Sequence, residues 1–164
     1  MQILRTVILP VFAAALIPYQ ATRSDPVLVT GVIDGDTMQV QAIGRVRLLG
    51  IAAPKTGSGH DSAAQVGREA KERLTSLVLR RWVRMERDEP RRGASSWRRA
   101  YVILEDGRFV NALLVREGLA RVVARQRLSR LAELERAQSE AQEARRGIWR
   151  TVERGGMPLT HLTR

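Results

Sequence analysis

The chain has 164 residues, a length that indicates one domain, and 44% of them are hydrophobic, which is enough for a modest core. Its formal net charge of +11 favours a polyanionic partner such as nucleic acid or an anionic membrane surface. The absence of cysteine excludes disulfides, thiolate chemistry and cysteine-ligated metal sites.

Arginine supplies almost all of the basic charge. Only Lys55 and Lys71 of the 28 basic residues are lysines, which leaves 26 arginines. The planar guanidinium group is suited to two-point contact with phosphate, whereas a codon bias toward arginine would give the same count without any ligand. The composition therefore suggests a partner but does not identify one.

Residues 1–21 are predicted to be a signal peptide. Arg5 precedes an apolar run over residues 6–18, which Pro10 interrupts, and polar residues follow it. The run is shorter than the roughly 20 apolar residues that a bilayer span needs. We therefore expect an exported protein, periplasmic or secreted, with an uncleaved N-terminal membrane anchor as the alternative.

Five short segments have the pattern of β-strands. Leu28–Ile33, Met38–Ile43 and Arg45–Ile51 are β-branched or alternating, and Asp-Gly and Ile-Gly turn signals separate them. They predict three consecutive antiparallel strands. Two further strands are predicted over residues 81–87 and 100–104, with a polar loop between them.

Helical periodicity after the third strand predicts the first of three helices. It begins at Asp61 or Ser62, either of which is a suitable N-cap. Apolar residues recur on one stripe and should lie on the sheet. They are Ala63, Val66, Ala70, Leu74, Leu77 and Val78.

Two more helices are predicted after the fifth strand. Asn111 is predicted to cap a short helix over residues 112–117, which ends at Gly118. Ser129 is predicted to open a longer helix that Gly147 ends. The apolar positions of this longer helix are Leu131, Leu134, Ala137, Ala141 and Ala144.

Five strands with about three helices, one of them inserted after the third strand, predict an α+β fold class. We expect a small five-stranded barrel of the oligonucleotide/oligosaccharide-binding (OB-fold) type. The predicted domain covers residues 27–150, and residues 151–164 are predicted to be a flexible tail because they lack periodicity.

Seven short motifs follow one another along the chain. The first two are the hairpin Val-Ile-Asp-Gly-Asp-Thr at residues 32–37 and the strand Arg47-Leu48-Leu49 with Pro54 beyond it. The others are Ala100-Tyr101-Val102, Asp106-Gly107, Val110-Asn111, Gly118-Leu119-Ala120 and Gly147-Ile148-Trp149. Each is weak alone, but in this order and spacing the chain resembles the staphylococcal nuclease (thermonuclease) family. The resemblance implies the five-stranded barrel and an association with phosphodiester hydrolysis.

The resemblance also implies a calcium site, of which only part is present. Asp36 falls on the family's hairpin carboxylate, the metal ligand. The second ligand carboxylate falls on Ala52, and the threonine after it falls on Ala53. The glutamate proposed to activate water falls on Lys55, which cannot accept a proton at neutral pH unless its pKa is strongly depressed. One carboxylate with backbone carbonyls makes a poor calcium site.

Two arginines clamp the phosphate in the family and stabilise charge in the transition state. Arg47 matches the first. The second position falls on Trp97, and a shift of one residue is needed to place Arg98 there. Arg47 and Arg98 are thus the candidate catalytic residues. Arg47, Lys55, Arg45 and Trp97 are the candidate contacts to nucleic acid or phosphate.

Structural roles compete with these functional ones. Asp34 and Asp36 belong to an Asp-Gly-Asp turn, where such residues more often bond their own backbone than a metal. The tryptophans are more typical of a core or a lid than of a base-stacking platform, with Trp97 as the exception because it lies in a basic loop. They are Trp82, Trp97 and Trp149.

The residues therefore favour a monomeric, exported domain that binds nucleic acid (DNA or RNA) or another polyanion. Calcium-dependent cleavage is expected to be weakened or lost. One alternative is an active endonuclease in which Asp34 or Asp61 rebuilds the metal site. Another is a structural or partner-binding module of the cell envelope.

Overall fold

The computed structural model describes residues 22–56, 62–88, 98–123 and 128–150. Short strands precede and connect three helices. In chain order the elements are β1 (Thr22–Arg23), β2 (Val27–Asp34), β3 (Thr37–Val40), β4 (Gly44–Leu48), β5 (Ile51–Ala52), α1 (Ser62–Val78), β6 (Trp82–Arg87), β7 (Arg99–Leu104), α2 (Val110–Arg116), β8 (Arg121–Val122) and α3 (Leu131–Glu143).

Five of the strands form a closed barrel. Their order is β6-β2-β3-β4-β7, and pairing between β6 and β7 closes the ring. β4 and β7 run parallel, whereas the other neighbours are antiparallel. The predicted α+β class, with a five-stranded OB-type barrel and three helices, is confirmed.

Alternation along the strands separates the core from the surface. In β3 and β4, Met38, Val40, Val46 and Leu48 point inward and are buried. The residues between them are exposed, Arg47 among them. The period of two in the sequence therefore explains which face of each strand is buried.

Two strand ends differ from the predictions. β3 ends at Val40 because the next residues form a turn in which Ala42 has a positive φ of 62°. β4 ends at Leu48, and Gly50 turns the chain with a φ of 80°. Ile51–Ala52 therefore leave the barrel strand and pair with β8. The apolar run to residue 51 gave no sign of this break.

The apolar stripe of α1 lies against the barrel, as predicted. Val66, Ala70 and Leu74 are buried, with Leu77 and Val78 after them. Two alanines assigned to helix stripes, Ala63 in α1 and Ala144 after α3, are exposed instead. In α1 the buried residue is Ala64.

Asn111 is not a helix cap. It lies within α2 and is fully buried, and the N-cap position is Phe109. The Asn111 carboxamide accepts a hydrogen bond from the Val102 N–H at 3.1 Å and donates one to the Leu49 carbonyl at 2.9 Å. This side chain therefore joins α2 to β7 and to the segment after β4. Gly118 ends the helix with a φ of 72°, as predicted.

The boundaries of α3 also differ from the predictions. Ser129 does not cap the helix, because its hydroxyl and its N–H donate to the Asp88 carboxylate, and Arg130 is the N-cap. Arg145 takes the left-handed conformation after the helix, with a φ of 49°. Gly147 instead opens a short 3-10 turn, Gly147–Trp149.

The outer face of β6 is covered over its second half. Glu86 is 3% exposed and receives ion pairs from Arg23 at 2.7 Å and Arg130 at 2.9 Å. Further along, Asp88 accepts a hydrogen bond from the Tyr101 hydroxyl at 2.9 Å. Burial, followed by this hydrogen bond, raises the pKa of Tyr101 above its usual value. β1 and α3 are therefore tied to the barrel through two carboxylates.

Several predictions concern segments outside the described residues. These are the signal peptide, the loop from residue 89 to 96 and the C-terminal tail, so the domain limits remain predictions. None of the described helices combines the length and the apolar character that a membrane crossing requires.

We predict that Gly118→Ala strongly destabilises the fold, by about 3 kcal/mol. The left-handed φ costs an alanine about 1–2 kcal/mol, and a Cβ at Gly118 would also overlap the carbonyl of Arg146. Gly107→Ala is the matched control, because Gly107 has a φ of 85° but open space where its Cβ would be. Urea unfolding of both variants measures the difference. Equal losses would show that the close contact at Gly118 contributes nothing.

Candidate functional site

The turn between β2 and β3 is held in place by close packing. A Cβ on Gly35 would lie 2.6 Å from the Ala70 Cβ and 2.9 Å from the Ala53 Cβ, so glycine permits α1 and the segment after β5 to approach the turn. This packing places Asp36, the next residue, in the interior. Asp36 is only 3% exposed.

Both carboxylate oxygens of Asp36 accept hydrogen bonds from the protein. Oδ1 accepts from the Thr37 hydroxyl at 2.7 Å. Oδ2 accepts from Arg47 Nη2 at 2.8 Å and from the Ala53 N–H at 3.3 Å. A buried carboxylate requires such donors because burial removes its hydration. The charge of Asp36 is therefore offset within the chain.

Arg47 combines this structural bond with exposure to solvent. It points outward from β4, and 44% of its side chain is exposed. One Nη2 donor is used by Asp36, whereas a guanidinium group has five N–H donors in all. Arg47 can therefore hold Asp36 and still contact a phosphate from the solvent side.

Lys55 lies beside the other carboxylate of the turn. Its Nζ is 3.6 Å from Asp34 Oδ2, and 80% of its side chain is exposed. The Lys55 backbone packs closely on Gly67 of α1, where a Cβ would lie only 2.6 Å from the Lys55 carbonyl oxygen. Such an exposed pair adds little stability. It does place a cation where the family's glutamate was expected.

Sequence reasoning missed Arg99, which the structure places beside Arg47. The two residues are Cα partners in the parallel pairing of β4 and β7, so their side chains share a face, and both are exposed. Arg98 is also exposed but precedes the strand, and Trp97 lies outside the described residues. No local pattern indicates Arg99, because β7 does not alternate between buried and exposed residues and only its pairing with β4 brings the two arginines together.

Another basic residue, Arg121, pairs with Ala52 across the β5–β8 strands. The two are Cα partners, and Arg121 is exposed. Arg45 is exposed on β4, two residues before Arg47. Five exposed basic residues thus lie on the strands and segments next to the turn, and Arg47 and Lys55 reach its two carboxylates. The five are Arg45, Arg47, Lys55, Arg99 and Arg121.

The described residues do not fit calcium, which prefers six to eight oxygen ligands. Both Asp36 oxygens already accept hydrogen bonds, and Ala52 has no ligand atom in its side chain. No group of three or more His, Cys, Asp or Glu residues that could hold a metal ion occurs in residues 22–56, 62–88, 98–123 and 128–150. Asp61, the other acid considered for a rebuilt site, lies outside this part of the chain.

Comparison with known proteins agrees with the architecture. The model of the family described as staphylococcal nuclease homologue matches residues 45–151. The chain is also similar to a thermonuclease of Staphylococcus intermedius, with 34% identity over 131 residues, which is 77% of each protein. The match includes the barrel strands from β4 onward and all three helices.

We predict that Asp36→Asn destabilises the protein by about 2 kcal/mol. The amide would lose the charged bond to Arg47 and would set an N–H₂ group against donors that now meet a carboxylate. Asp34→Asn is the matched control, with an expected loss below about 1 kcal/mol because its partner Lys55 is exposed. Thermal or urea unfolding without added metal measures both.

The same pair of variants separates two kinds of site. In a metal-free cluster of carboxylates, removing one charge relieves repulsion and stabilises the fold. A gain of stability in Asp36→Asn would therefore contradict the arrangement described here.

Proposed function

Because the chain belongs to the staphylococcal nuclease family, we propose that it binds nucleic acid through the basic surface around Arg47, with calcium-dependent phosphodiester hydrolysis weakened or lost. The observation that carries the proposal is the state of Asp36, whose two oxygens accept hydrogen bonds from Thr37, Arg47 and Ala53. A carboxylate engaged in this way is a poor ligand for a hard cation.

Binding and cleavage place different demands on this surface. Phosphate binding needs exposed guanidinium and ammonium groups, and Arg47, Lys55 and Arg99 supply them. Hydrolysis also needs a group that accepts a proton from water. At the position expected for that base stands Lys55, whose ammonium is a donor at neutral pH.

The alternative function is an endonuclease with a rearranged site. The observation that favours it is Asp34, an acid in the same turn whose side chain is 18% exposed. Against it, the Asp34 carboxylate is held by the Gly35 N–H at 2.9 Å and lies beside Lys55. The Lys55 ammonium therefore occupies one side of this carboxylate, where a metal ion or a water molecule would have to bind. We therefore favour binding without efficient cleavage.

Export is a separate part of the proposal. It rests on the apolar run of residues 6–18 behind a single arginine, and we propose a periplasmic or secreted protein. Fractionation of cells that express the full chain, with N-terminal sequencing of the product, tests it. Recovery of an unprocessed chain from the cytosol would overturn it.

We predict that DNA binding is insensitive to chelator and strongly sensitive to salt. Fluorescence anisotropy with labelled DNA should give the same Kd in calcium and in EDTA.

Arg47→Ala should weaken binding and reduce the salt slope for duplex by about 1, since one phosphate contact is lost. Arg136→Ala is the matched control for net charge, because Arg136 is exposed on α3 and is not one of the five basic residues near the turn. Calcium-dependent cutting that Arg47→Ala abolishes would overturn the proposal. If the chain neither binds nor cuts DNA, the result would favour a structural module.

We further predict that the triple variant Ala52→Asp, Ala53→Thr, Lys55→Glu gains calcium-dependent cleavage. It supplies a second carboxylate ligand and a proton acceptor and removes the ammonium group beside Asp34. Cleavage of plasmid DNA with calcium, compared with EDTA, measures the gain. The matched control is Lys55→Glu alone, which should remain inactive because the second ligand is still absent. Equal cleavage by the unmodified chain would show that these positions do not limit catalysis.

A further inference from the structure

Trp82 is exposed at the start of β6. Of the large hydrophobic residues in the described part of the chain, it is the most exposed at 49%, ahead of Val123 at 42% and Ile33 at 36%. Trp82 is therefore not a core residue, which was one of the two roles expected for it. An indole presented to solvent leaves a large apolar face without a partner.

This residue is far from the basic surface around Arg47. Leu28 is its Cα partner at the start of β2, and β2 then runs six residues to Asp34 in the turn that carries Asp36. At about 3.3 Å per residue, that path is roughly 20 Å. Trp82 thus lies at the opposite end of the barrel and is not part of the site described above.

Three exposed arginines are close to Trp82 along the chain. Arg84 is two residues along the same exposed face of β6, about 7 Å away. Arg80 and Arg81 precede the strand and are exposed. Backbone hydrogen bonds hold this turn to β2: the Arg80 N–H donates to the Val29 carbonyl, and the Val29 N–H donates to the Arg81 carbonyl. We name Arg80, Arg81, Trp82 and Arg84 the Trp82 surface.

The charge of the Trp82 surface is only partly offset. Hydrogen bonds from Arg108 lower the pKa of Asp106, and the charge of Arg81 adds to this effect, so Arg81 has an acidic neighbour. Arg80 and Arg84 form no side-chain ion pair with the described residues. The next acid on the face, Glu86, is already paired with two arginines.

We propose that the Trp82 surface is a second contact for nucleic acid and that it selects single strands. An unpaired base can stack on the indole while guanidinium groups contact the neighbouring phosphates. A duplex keeps its base faces stacked inside and can use only the arginines. This inference rests on the proposed nucleic-acid binding and adds a preference that the basic surface around Arg47 does not explain.

Other partners fit the Trp82 surface less well. β6 is paired with β7 on one side and with β2 and β1 on the other, so it offers no open edge to a strand of another chain. An anionic membrane would require several apolar side chains to insert, whereas Leu28 beside Trp82 is half-buried. Charge complementarity and a single stacking face favour nucleic acid.

The test compares single-stranded and duplex DNA on the purified full chain. Trp82→Ala should weaken single-strand binding about 5-fold to 150-fold, the range expected for one stacked base, and should change duplex binding by less than about 2-fold. Trp82→Phe should largely retain single-strand affinity, because an aromatic face remains. The fluorescence quenching that single strands cause in the unmodified chain should be reduced in Trp82→Phe.

Two matched controls separate stacking from general effects. Val123→Ala removes another exposed apolar side chain and should not alter either affinity. Arg136→Ala removes the same charge as Arg84→Ala, but only Arg84→Ala should weaken single-strand binding. All of these positions are exposed, so the fold should be retained, and circular dichroism checks this.

The outcomes distinguish this inference from the function on which it rests. If the unmodified chain binds no nucleic acid, both fail. If binding depends on Arg47 but Trp82→Ala binds single strands normally, or loses both forms equally, only this inference is overturned. Loss of binding to phosphatidylglycerol vesicles in Trp82→Ala, with DNA binding intact, would assign the surface to a membrane instead.

Discussion

The buried carboxylate of Asp36 is the point on which the site depends. It joins the β2–β3 turn to β4 through Arg47 and to the segment after β5 through the Ala53 N–H. The Asp36 carbonyl also accepts from the Leu48 N–H at 2.8 Å. Burial of a charge is tolerated only when donors replace its hydration, so these contacts are a requirement of the fold as well as a feature of the site. Because Arg47 offsets the charge of the Asp36 carboxylate, the positive group next to this turn is a side chain of the protein itself.

This arrangement changes the electrostatics of the surface. Carboxylates that share a metal repel each other until the metal binds. Here Ala52 removes one such charge, and Lys55 places an ammonium group next to Asp34. Arg121 and Arg99 then stand on strands that flank the turn. Basic groups therefore outnumber acids around Asp36, which supports the proposed contact with phosphate.

Local patterns predicted the barrel but not the contacts that join its parts. Alternation and β-branched runs identified the strands, and the helical stripe identified α1, because each depends on neighbours in sequence. The role of Asn111 could not be seen in this way, since its partners Val102 and Leu49 lie on other elements. Arg99 was missed for a similar reason: only the parallel pairing of β4 and β7 brings it beside Arg47. The exposure of Trp82 likewise depends on which parts of β6 are covered by β1 and α3.

The proposed contacts at the two ends of the barrel show how a domain can bind nucleic acid without cleaving it. Hydrolysis requires a metal, a base and a clamp within a small volume, so the proposed loss of cleavage needs no more than the residues found at Ala52 and Lys55. Affinity for a polyanion is instead summed over separate contacts, and the loss of one reduces it without abolishing it. Arg47 and Arg99 at one end and Trp82 with Arg84 at the other would engage different parts of a strand. Two sites about 20 Å apart can then act on one ligand, which raises the effective concentration at the second site once the first is bound.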